Sequence, residues 1–338
     1  MRWDEVNARA RGLATHLLDR QALAGLAAAR DWADLLGRLA GLGYPLEVAG
    51  GGALDPTGFD RAVTLATAAR LDLLGRWLGS RRAVLAVVLE EEERSSLRAL
   101  LRGAAQGASP GARLRMVLPT PGLPRKTLER LAHAASVPEL VRQLAKCGHP
   151  AGRALRVVLD EAPEPGLRSM EWALTRLFTE RARRAAESGG PVLRRYVAEL
   201  VDQENLWTVL LGAPADAPGA APEFLQGGSR LTKVEFVRLR AERDREACLT
   251  SLERSLRGTA LGMALAPPVE LPALPARAAA ARVRWLRGVA RRDPLGPAVV
   301  LGVLERMRAE ARILRGMAWG IAFGAPFQVL EPMLPEAA

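Results

Sequence analysis

Residues that build covalent or catalytic sites are scarce in this chain of 338 residues. It has two cysteines, Cys147 and Cys248, and three histidines, His16, His133 and His149. The cysteines have no redox or metal-ligand spacing and could form at most one disulfide, so we expect a reducing cytoplasm and two buried thiols. A chain of this length can bury a large core, which makes disulfides and structural metals unnecessary for folding.

Sequence signatures of common catalytic and nucleotide-binding sites are also missing. The histidines have no second ligand at helical spacing apart from a loose Cys147-x-His149, so we interpret them as helix-end or surface residues. No GxxxxGK[ST] motif occurs, and AGGGALDPTG (49–58) lacks the lysine and the preceding strand of a phosphate loop. GASPG (107–111) matches the nucleophile-elbow pattern, but the residue after Ser109 is a proline, which has no N–H for an oxyanion. We therefore predict no catalytic, cofactor-binding or metal-binding residue.

Two acidic stretches are the remaining candidates for chemistry. Four consecutive glutamates at 90–93 point in four directions round a helix, so they cannot converge on one cation. We expect Glu90 to pair with Arg94 at i, i+4 and the other glutamates to be solvated. Asp160 and Glu161 are adjacent and have no apparent base or metal partner, so a helical enzyme that uses them is a minor alternative.

Long apolar runs are absent. Charges interrupt every apolar stretch before it reaches membrane-spanning length, and the longest uncharged run, GMAWGIAFGAPFQVL at 316–330, is short and contains Pro326. The N-terminus is charged from Arg2 and lacks the apolar core of a secretion signal, so we expect no export. These features predict a soluble protein that is able to contact a membrane protein.

Lysine is nearly missing from a basic chain. The net charge is +11 and the pI is near 10.9, yet only Lys126, Lys146 and Lys233 are lysines. A basic chain raises nucleic acid as a partner. The arginines alternate with glutamates, as on a solvated helix face, which argues against that partner.

Helical periodicity dominates the sequence. Leu, Ala, Arg and Glu recur at spacings of three and four residues and alternating β-branched runs are nearly absent, which predicts an all-α fold. In LAGLAAARDWADLLGRLAGLGYP (23–45), Asp31 predicts a helix N-cap, Gly43 a left-handed helix end and Pro45 a stop.

The same hairpin recurs 105 residues later, at 128–150, with nine of 23 positions identical. In this copy Ser136 begins a capping box, and Gly148 and Pro150 close the second helix. A third copy is expected near 236–256.

Longer self-similarity predicts three repeats. Three predicted helices share a pattern of a polar residue, two further residues and an apolar stripe that ends in glycine: SLRALLRG (96–103), NLWTVLLG (205–212) and EARILRG (310–316). Their spacing gives a period of about 105 to 109 residues, so we predict three helical repeats of about 105 residues at 1–110, 111–222 and 223–338. Asn205 and Glu310, at corresponding positions, either contact a partner or satisfy a backbone group at a helix crossing.

Five segments resemble one family. The opening VNARARGLATHLL (6–18) resembles the N-terminus of the C subunit of prokaryotic A/V-type rotary ATPases, whose counterpart is the d subunit of eukaryotic V-ATPases and which is grouped in the AC39 family. The other segments resemble the loop and helix of the family's second repeat, its helix with an acidic residue three before Asn-Leu, its Gly-Gly turn and its final helix: MVLPTPGLPRKTLERLAHA (116–134), YVAELVDQENLWTVLLGA (196–213), FLQGGSRLT (224–232) and PLGPAVVLGVLERMRAEARILRG (294–316). Their order and spacing extend over nearly the whole chain.

The resemblance implies a funnel-shaped, all-α subunit with three pseudo-symmetric repeats and no cofactor. Such a subunit is a non-catalytic part of the central stalk, peripheral to the cytoplasmic face of the membrane. Its partners are the membrane proteolipid ring and the central-stalk axle subunits, which it couples during ATP-linked proton or sodium transport. The residues alone leave a second possibility, a helical-repeat binding module for RNA or protein partners.

Overall fold

The computed structural model describes residues 3–45, 54–115, 117–161, 166–211 and 224–334. Within these ranges the regular secondary structure is helical and no β-strand occurs, which confirms the predicted all-α fold. Alanine, leucine, arginine and glutamate, which recur at helical spacing along the sequence, have high intrinsic helix propensities.

Each third of the chain contains a pair of short helices followed by a pair of long ones, with one further short helix between the pairs in the middle and last thirds. The first third of the chain contains α1 (Trp3–Ala14), α2 (Arg20–Ala27), α3 (Trp32–Gly41), α4 (Pro56–Leu78), α5 (Ala83–Ala105) and α6 (Pro110–Leu114). The middle third contains α7 (Arg125–Ala132), α8 (Val137–Lys146), α9 (Pro150–Glu161), α10 (Leu167–Ser188) and α11 (Gly190–Leu211). The last third contains α12 (Lys233–Ala241), α13 (Arg245–Ser255), α14 (Ala260–Ala264), α15 (Leu274–Arg292), α16 (Ala298–Ala322) and α17 (Phe327–Leu330).

The predicted hairpin boundaries are confirmed in α2–α3 and α7–α8. The Asp31 carboxylate accepts a hydrogen bond from the Asp34 N–H at 2.9 Å, and the Ser136 hydroxyl accepts one from the Glu139 N–H at 3.4 Å. The glycines that follow α3 and α8 both have positive φ angles, +66° at position 43 and +71° at position 148. A glycine adopts this left-handed conformation without the clash that a Cβ would cause.

A third hairpin lies where the sequence predicts one. Helices α12 and α13 occupy the same region, and both Leu239 and Leu252 are buried. Pro150, which we expected only to close the second hairpin, is the first residue of α9, where its missing N–H costs little.

By contact density the chain forms two compact units. One contains Met1–Gln21, Arg183–Glu310 and Glu331–Ala338, and its core joins side chains of α11 to α15. The other contains Ala22–Ala182 and Ala311–Leu330, and its core joins α5 and α7 to α10. These units do not test the three predicted repeats, because a compact unit reflects packing and a repeat reflects sequence similarity.

None of the helices in the described part of the chain combines the length and the apolar character needed to cross a bilayer.

Candidate functional site

Three buried polar side chains occupy corresponding turns of the long helices α5, α11 and α16. They are Ser96, Asn205 and Glu310, and each is at most 3% exposed. A polar group at this depth requires a hydrogen-bonding partner, since an unsatisfied one costs about 1–3 kcal/mol.

Each of the three binds the backbone of a leucine that precedes a pair of short helices. The Ser96 hydroxyl accepts from the Leu118 N–H at 3.0 Å, and the Glu310 carboxylate accepts from the Leu18 N–H at 2.6 Å. Asn205 accepts from the N–H of Leu225 and donates to its C=O, both at 2.9 Å. We call Ser96, Asn205 and Glu310 the loop anchors; of the two roles considered for Asn205 and Glu310, the hydrogen bonds support the structural one.

One turn before Asn205, the Asp202 carboxylate organises the loop at 224–232. Its oxygens accept hydrogen bonds from the backbone N–H and the hydroxyl of Ser229, at 2.8 and 2.7 Å, and from the N–H groups of Arg230 and Leu231, at 3.0 and 3.3 Å. A Cβ on Gly228 would overlap a carboxylate oxygen, which explains the second glycine of the Gly-Gly turn. Two motifs distant in sequence therefore form one site.

Asp202 is nearly fully buried, at 1% exposure. Burial raises the pKa of Asp202, and the hydrogen bonds from Ser229, Leu231 and Arg230 oppose that shift.

Glu93 is the corresponding carboxylate on α5, one turn before Ser96. It accepts a hydrogen bond from the Thr120 hydroxyl at 2.6 Å, and His149 Nε2 lies 3.4 Å from its other oxygen. A Cβ on Gly122 would overlap this carboxylate. Burial by itself raises the pKa of Glu93, but the hydrogen bonds from His149 and Thr120 outweigh it and hold the pKa below its usual 4.5.

The glutamates at 90–93 do not form the solvated helix face that we expected. Glu93 is buried, and Glu90 binds the guanidinium of Arg181 on α10 at 2.6 Å instead of pairing with Arg94. Arg94 stacks on the Phe178 ring, with its guanidinium carbon 4.7 Å from the centroid. The prediction failed because α10, about 80 residues further along the chain, packs against this side of α5.

Helix α16, which carries the third polar side chain, Glu310, has no carboxylate at the position that matches Glu93 and Asp202. Met307, buried at 1% exposure, stands one turn before Glu310. The segment that contains Leu18 follows α1, and α1 itself makes the additional hydrogen bonds. The Asn7 amide donates to the carbonyls of Pro294 and Gly296 at 3.2 and 3.1 Å.

The remaining sequence candidates have local structural roles. Ser109 is the exposed N-cap of α6 and accepts from the Ala112 N–H at 3.3 Å, so it caps a helix and does not stand on a nucleophile elbow. His149 Nδ1 accepts from the Ala151 N–H at 3.2 Å at the start of α9, and this confirms a helix-end role. Asp160 and Glu161 are both exposed at the end of α9.

Cys248 is buried, as expected, but the prediction that Cys147 is buried is wrong. Cys147 is the C-cap of α8 and faces solvent, where the Arg130 guanidinium donates to its sulfur at 2.6 Å. His16 and His133 are exposed near the ends of α1 and α7, which agrees with the surface role. Residues 212–223, which follow α11, and residues 49–53 of the AGGGALDPTG stretch lie outside the described residues.

Within the described ranges no group of three or more His, Cys, Asp or Glu side chains is arranged to hold a metal ion.

The anchors and both carboxylates lie inside a region that matches a known family. A sequence model described as "ATP synthase (C/AC39) subunit" matches residues 6–331. The chain belongs to this family. Two relatives of this C/AC39 protein come from two strains of Thermus thermophilus, and each is named as the C subunit of a V-type ATP synthase. Each is 35% identical over 308 residues, which cover 89% of this chain and 88% of the relative.

The match confirms the resemblance noted in the sequence. It also places the Asp202 and Gly228 contact, the Glu93 contact and the three loop anchors within a C/AC39 protein of the ATP synthase family.

Proposed function

We propose that the chain is a non-catalytic central-stalk subunit of a V/A-type rotary ATPase, which couples the membrane proteolipid ring to the axle during ATP-linked proton or sodium transport. The observation that carries this proposal is the family match over residues 6–331, together with 88% coverage of the V-type ATP synthase C subunit from Thermus thermophilus. A function of this kind needs binding surfaces and stiffness, and no reacting side chain.

The loop anchors support the mechanical part of the proposal. A coupling subunit transmits torque only if its helices and loops move as one body. Close-packed interiors have low compressibility, and segments with few buried contacts open most readily. The loops at 117–123 and 224–232 are each bound to a long helix by two buried polar side chains, Glu93 with Ser96 and Asp202 with Asn205. These contacts restrict motion of the loops relative to the helices.

We further propose the three repeats at 1–110, 111–222 and 223–338, arranged as a funnel-shaped subunit on the cytoplasmic face of the membrane. A short helix pair and a later long helix pair occur in each third of the chain, separated by α9 in the middle third and by α14 in the last, and this order supports the repeats. In this arrangement an arginine-bearing rim contacts the polar loops of the ring, and the cavity receives the foot of the axle.

Co-purification tests the proposal. The tagged chain is expressed with the axle subunits and the proteolipid ring of its own organism, and the detergent extract is purified at low salt. We expect the chain to elute with both partners, and its retention on the ring to fall as salt is raised, since exposed charges are screened. Omission of the axle or of the ring, each in turn, shows which partner holds the chain. Elution as a monomer separate from both partners would overturn the proposal.

A further inference from the structure

Helix α12 carries an exposed apolar stripe. Val234 is 80% exposed and Val237 is 58% exposed, and Ala241 is exposed as well. At roughly 100° per residue, these three positions lie on one side of the helix. The opposite side contains Phe236 and Leu239, which are buried in the core of α11 to α15. The stripe is therefore not part of the packing that holds α12 in place.

Basic side chains border the stripe on both sides. By the same helical geometry Arg238 lies along one edge and Lys233 along the other, and both are exposed. Two carboxylates lie near Arg238, and both accept hydrogen bonds from other groups: Glu235 from the hydroxyls of Thr232 at 2.7 Å and Ser255 at 2.9 Å, and the exposed Glu242 at the end of α12 from the Asp244 N–H at 3.0 Å. The exposed face of α12 thus combines an apolar centre with positively charged edges.

The corresponding helices of the other two hairpins lack this stripe. Where α12 has Val234 and Val237, α2 has Gln21 and Ala24, and α7 has Lys126 and Glu129. All three helices bury the side that faces the core, so folding of the hairpin does not require the valines. Valine is also a poorer helix former than lysine, glutamate or glutamine, so intrinsic helix propensity does not favour it at these positions.

The stripe stands on a firmly held helix. The capping box of Thr232 and Glu235 fixes the first turn, and the Phe236 ring packs against Phe224 with centroids 5.4 Å apart. At the other end, the Arg240 guanidinium donates to the Thr208 carbonyl of α11 at 3.1 Å. Leu211, the last residue of α11, is 67% exposed. A surface ordered before binding loses less conformational entropy when a partner docks.

We propose that Val234, Val237 and Ala241, between Lys233 and Arg238, form a docking surface for an amphipathic helix of another subunit, one whose apolar stripe is bordered by Asp or Glu. Because Lys233 and Arg238 are positively charged, we expect acidic residues at both edges of the partner's apolar stripe. Edge charges select partners in the same way in pairs of helices. The inference rests on the proposed function, because the partner is taken from the same rotary complex.

A protein helix fits this surface better than a lipid surface. A helix that binds at a membrane interface buries its apolar face about 5–10 Å into the headgroup region. Helix α12 has nine residues, its inner side is fixed in the core, and its exposed stripe contains two valines and an alanine. Such a stripe matches about two turns of a partner helix.

Cross-linking in the assembled complex identifies the partner. In a Cys147→Ser background, which leaves only the buried Cys248, Val237→Cys is labelled with a thiol-reactive photo-cross-linker. We expect mass spectrometry to find the cross-link on a helical segment of a co-purified subunit that carries Asp or Glu beside its apolar residues. Cross-links only to lipid, to a second copy or to residues 212–223 of the same chain, or no cross-link, would overturn the inference.

Paired variants measure the contribution of the stripe. Val234→Lys with Val237→Lys is compared with the matched control Gln21→Lys with Ala24→Lys on α2. We expect retention of the cross-linked subunit to fall at least tenfold in the α12 variant and less than twofold in the control, with the same unfolding midpoint in both. Lys233→Glu with Arg238→Glu should also reduce retention, because the acidic edges then face like charges.

The outcomes separate this inference from the proposed function. If the unsubstituted chain fails to co-purify with axle and ring, the proposed function fails. If it co-purifies and the α12 lysine variant is retained equally well, only the inference fails. Binding of the unsubstituted chain to phosphatidylserine vesicles, when lost in the α12 lysine variant, would assign the stripe to lipid and overturn the protein partner.

Discussion

Glu93 and Asp202 hold two loops at corresponding turns of two long helices, but they do so by different means. Asp202 accepts three backbone N–H groups and one hydroxyl. Glu93 accepts one threonine hydroxyl and contacts His149. The Asp202 contact therefore depends mainly on the backbone conformation of the loop, and the Glu93 contact depends on the identity of two side chains.

The largest expected effect is the loss of the Asp202 carboxylate. Asp202→Ala leaves several buried donors without an acceptor, so we expect a loss of about 3–5 kcal/mol in the free energy of unfolding, against about 1–3 kcal/mol for Glu93→Ala. Urea denaturation gives both values, and hydrogen exchange should become faster at the amides of Ser229, Arg230 and Leu231. Asp72→Ala is the control, because its pair with Arg76 is about two-thirds exposed and contributes little. Equal losses at Asp202 and Glu93 would contradict the comparison.

Glycines that approach the two carboxylates provide the second test. Gly228→Ala and Gly122→Ala each place a Cβ on a carboxylate oxygen, so we expect each to lower the free energy of unfolding by about 1–3 kcal/mol. Gly37→Ala in α3 has open space around the added Cβ and should be neutral or stabilising by up to about 1 kcal/mol. The comparison is by urea denaturation. Unchanged stability in Gly228→Ala would mean that the loop does not need this close approach.

The loss in the free energy of unfolding on replacing a loop anchor should increase with the number of hydrogen bonds that the anchor makes. Asn205→Ala breaks two buried hydrogen bonds with Leu225 and should cost about 2 kcal/mol, whereas Ser96→Ala breaks one with Leu118 and should cost about 1 kcal/mol. Hydrogen exchange at the Leu225 and Leu118 amides checks that each loss is local. A larger effect at Ser96 would reverse the expected order.

The contributions of Glu93 and Asp202 to the free energy of unfolding should change with pH in opposite directions. The pKa of Glu93 lies below its usual 4.5, so its carboxylate stabilises the fold above that value, and this contribution is lost as the pH falls through the folded pKa. The pKa of Asp202 is raised above 3.8, so its ionisation costs stability as the pH rises from 3.8 through the folded pKa.

As the pH falls below 4.5, the unfolding free energy of the unsubstituted chain should therefore decrease relative to that of Glu93→Gln. As the pH falls toward 3.8, it should increase relative to that of Asp202→Asn. Urea denaturation across this range measures both differences. Shifts of the same sign in the two pairs would show that the carboxylates do not differ as described.

Local sequence patterns were enough to predict the all-α fold and several helix ends in the first two hairpins. Asp31, Ser136 and Gly43 act within a few residues of their own positions, so their roles follow from spacing alone. The spacing of similar sequence segments also paired Asn205 with Glu310, and each of them binds the backbone of a leucine.

Partners distant along the chain were beyond the reach of these patterns. Glu93 was assigned to a solvated face because nothing near residues 90–93 indicates Thr120, His149 or the packing of α10. The bond from Leu18 to Glu310 joins residues 292 positions apart, and periodicity within one helix contains no information on such a pair.

The bond between Leu18 and Glu310 has a consequence for the order in which the protein is made. A ribosome releases residues 3–18 well before α16, the helix whose Glu310 binds Leu18. Until residues 294–310 have been made, residues 3–18 have no carboxylate to hold the Leu18 amide and no Pro294 or Gly296 carbonyl to accept from Asn7. Residues 3–18 therefore reach their final place only after a segment up to 292 positions further along the chain has been made.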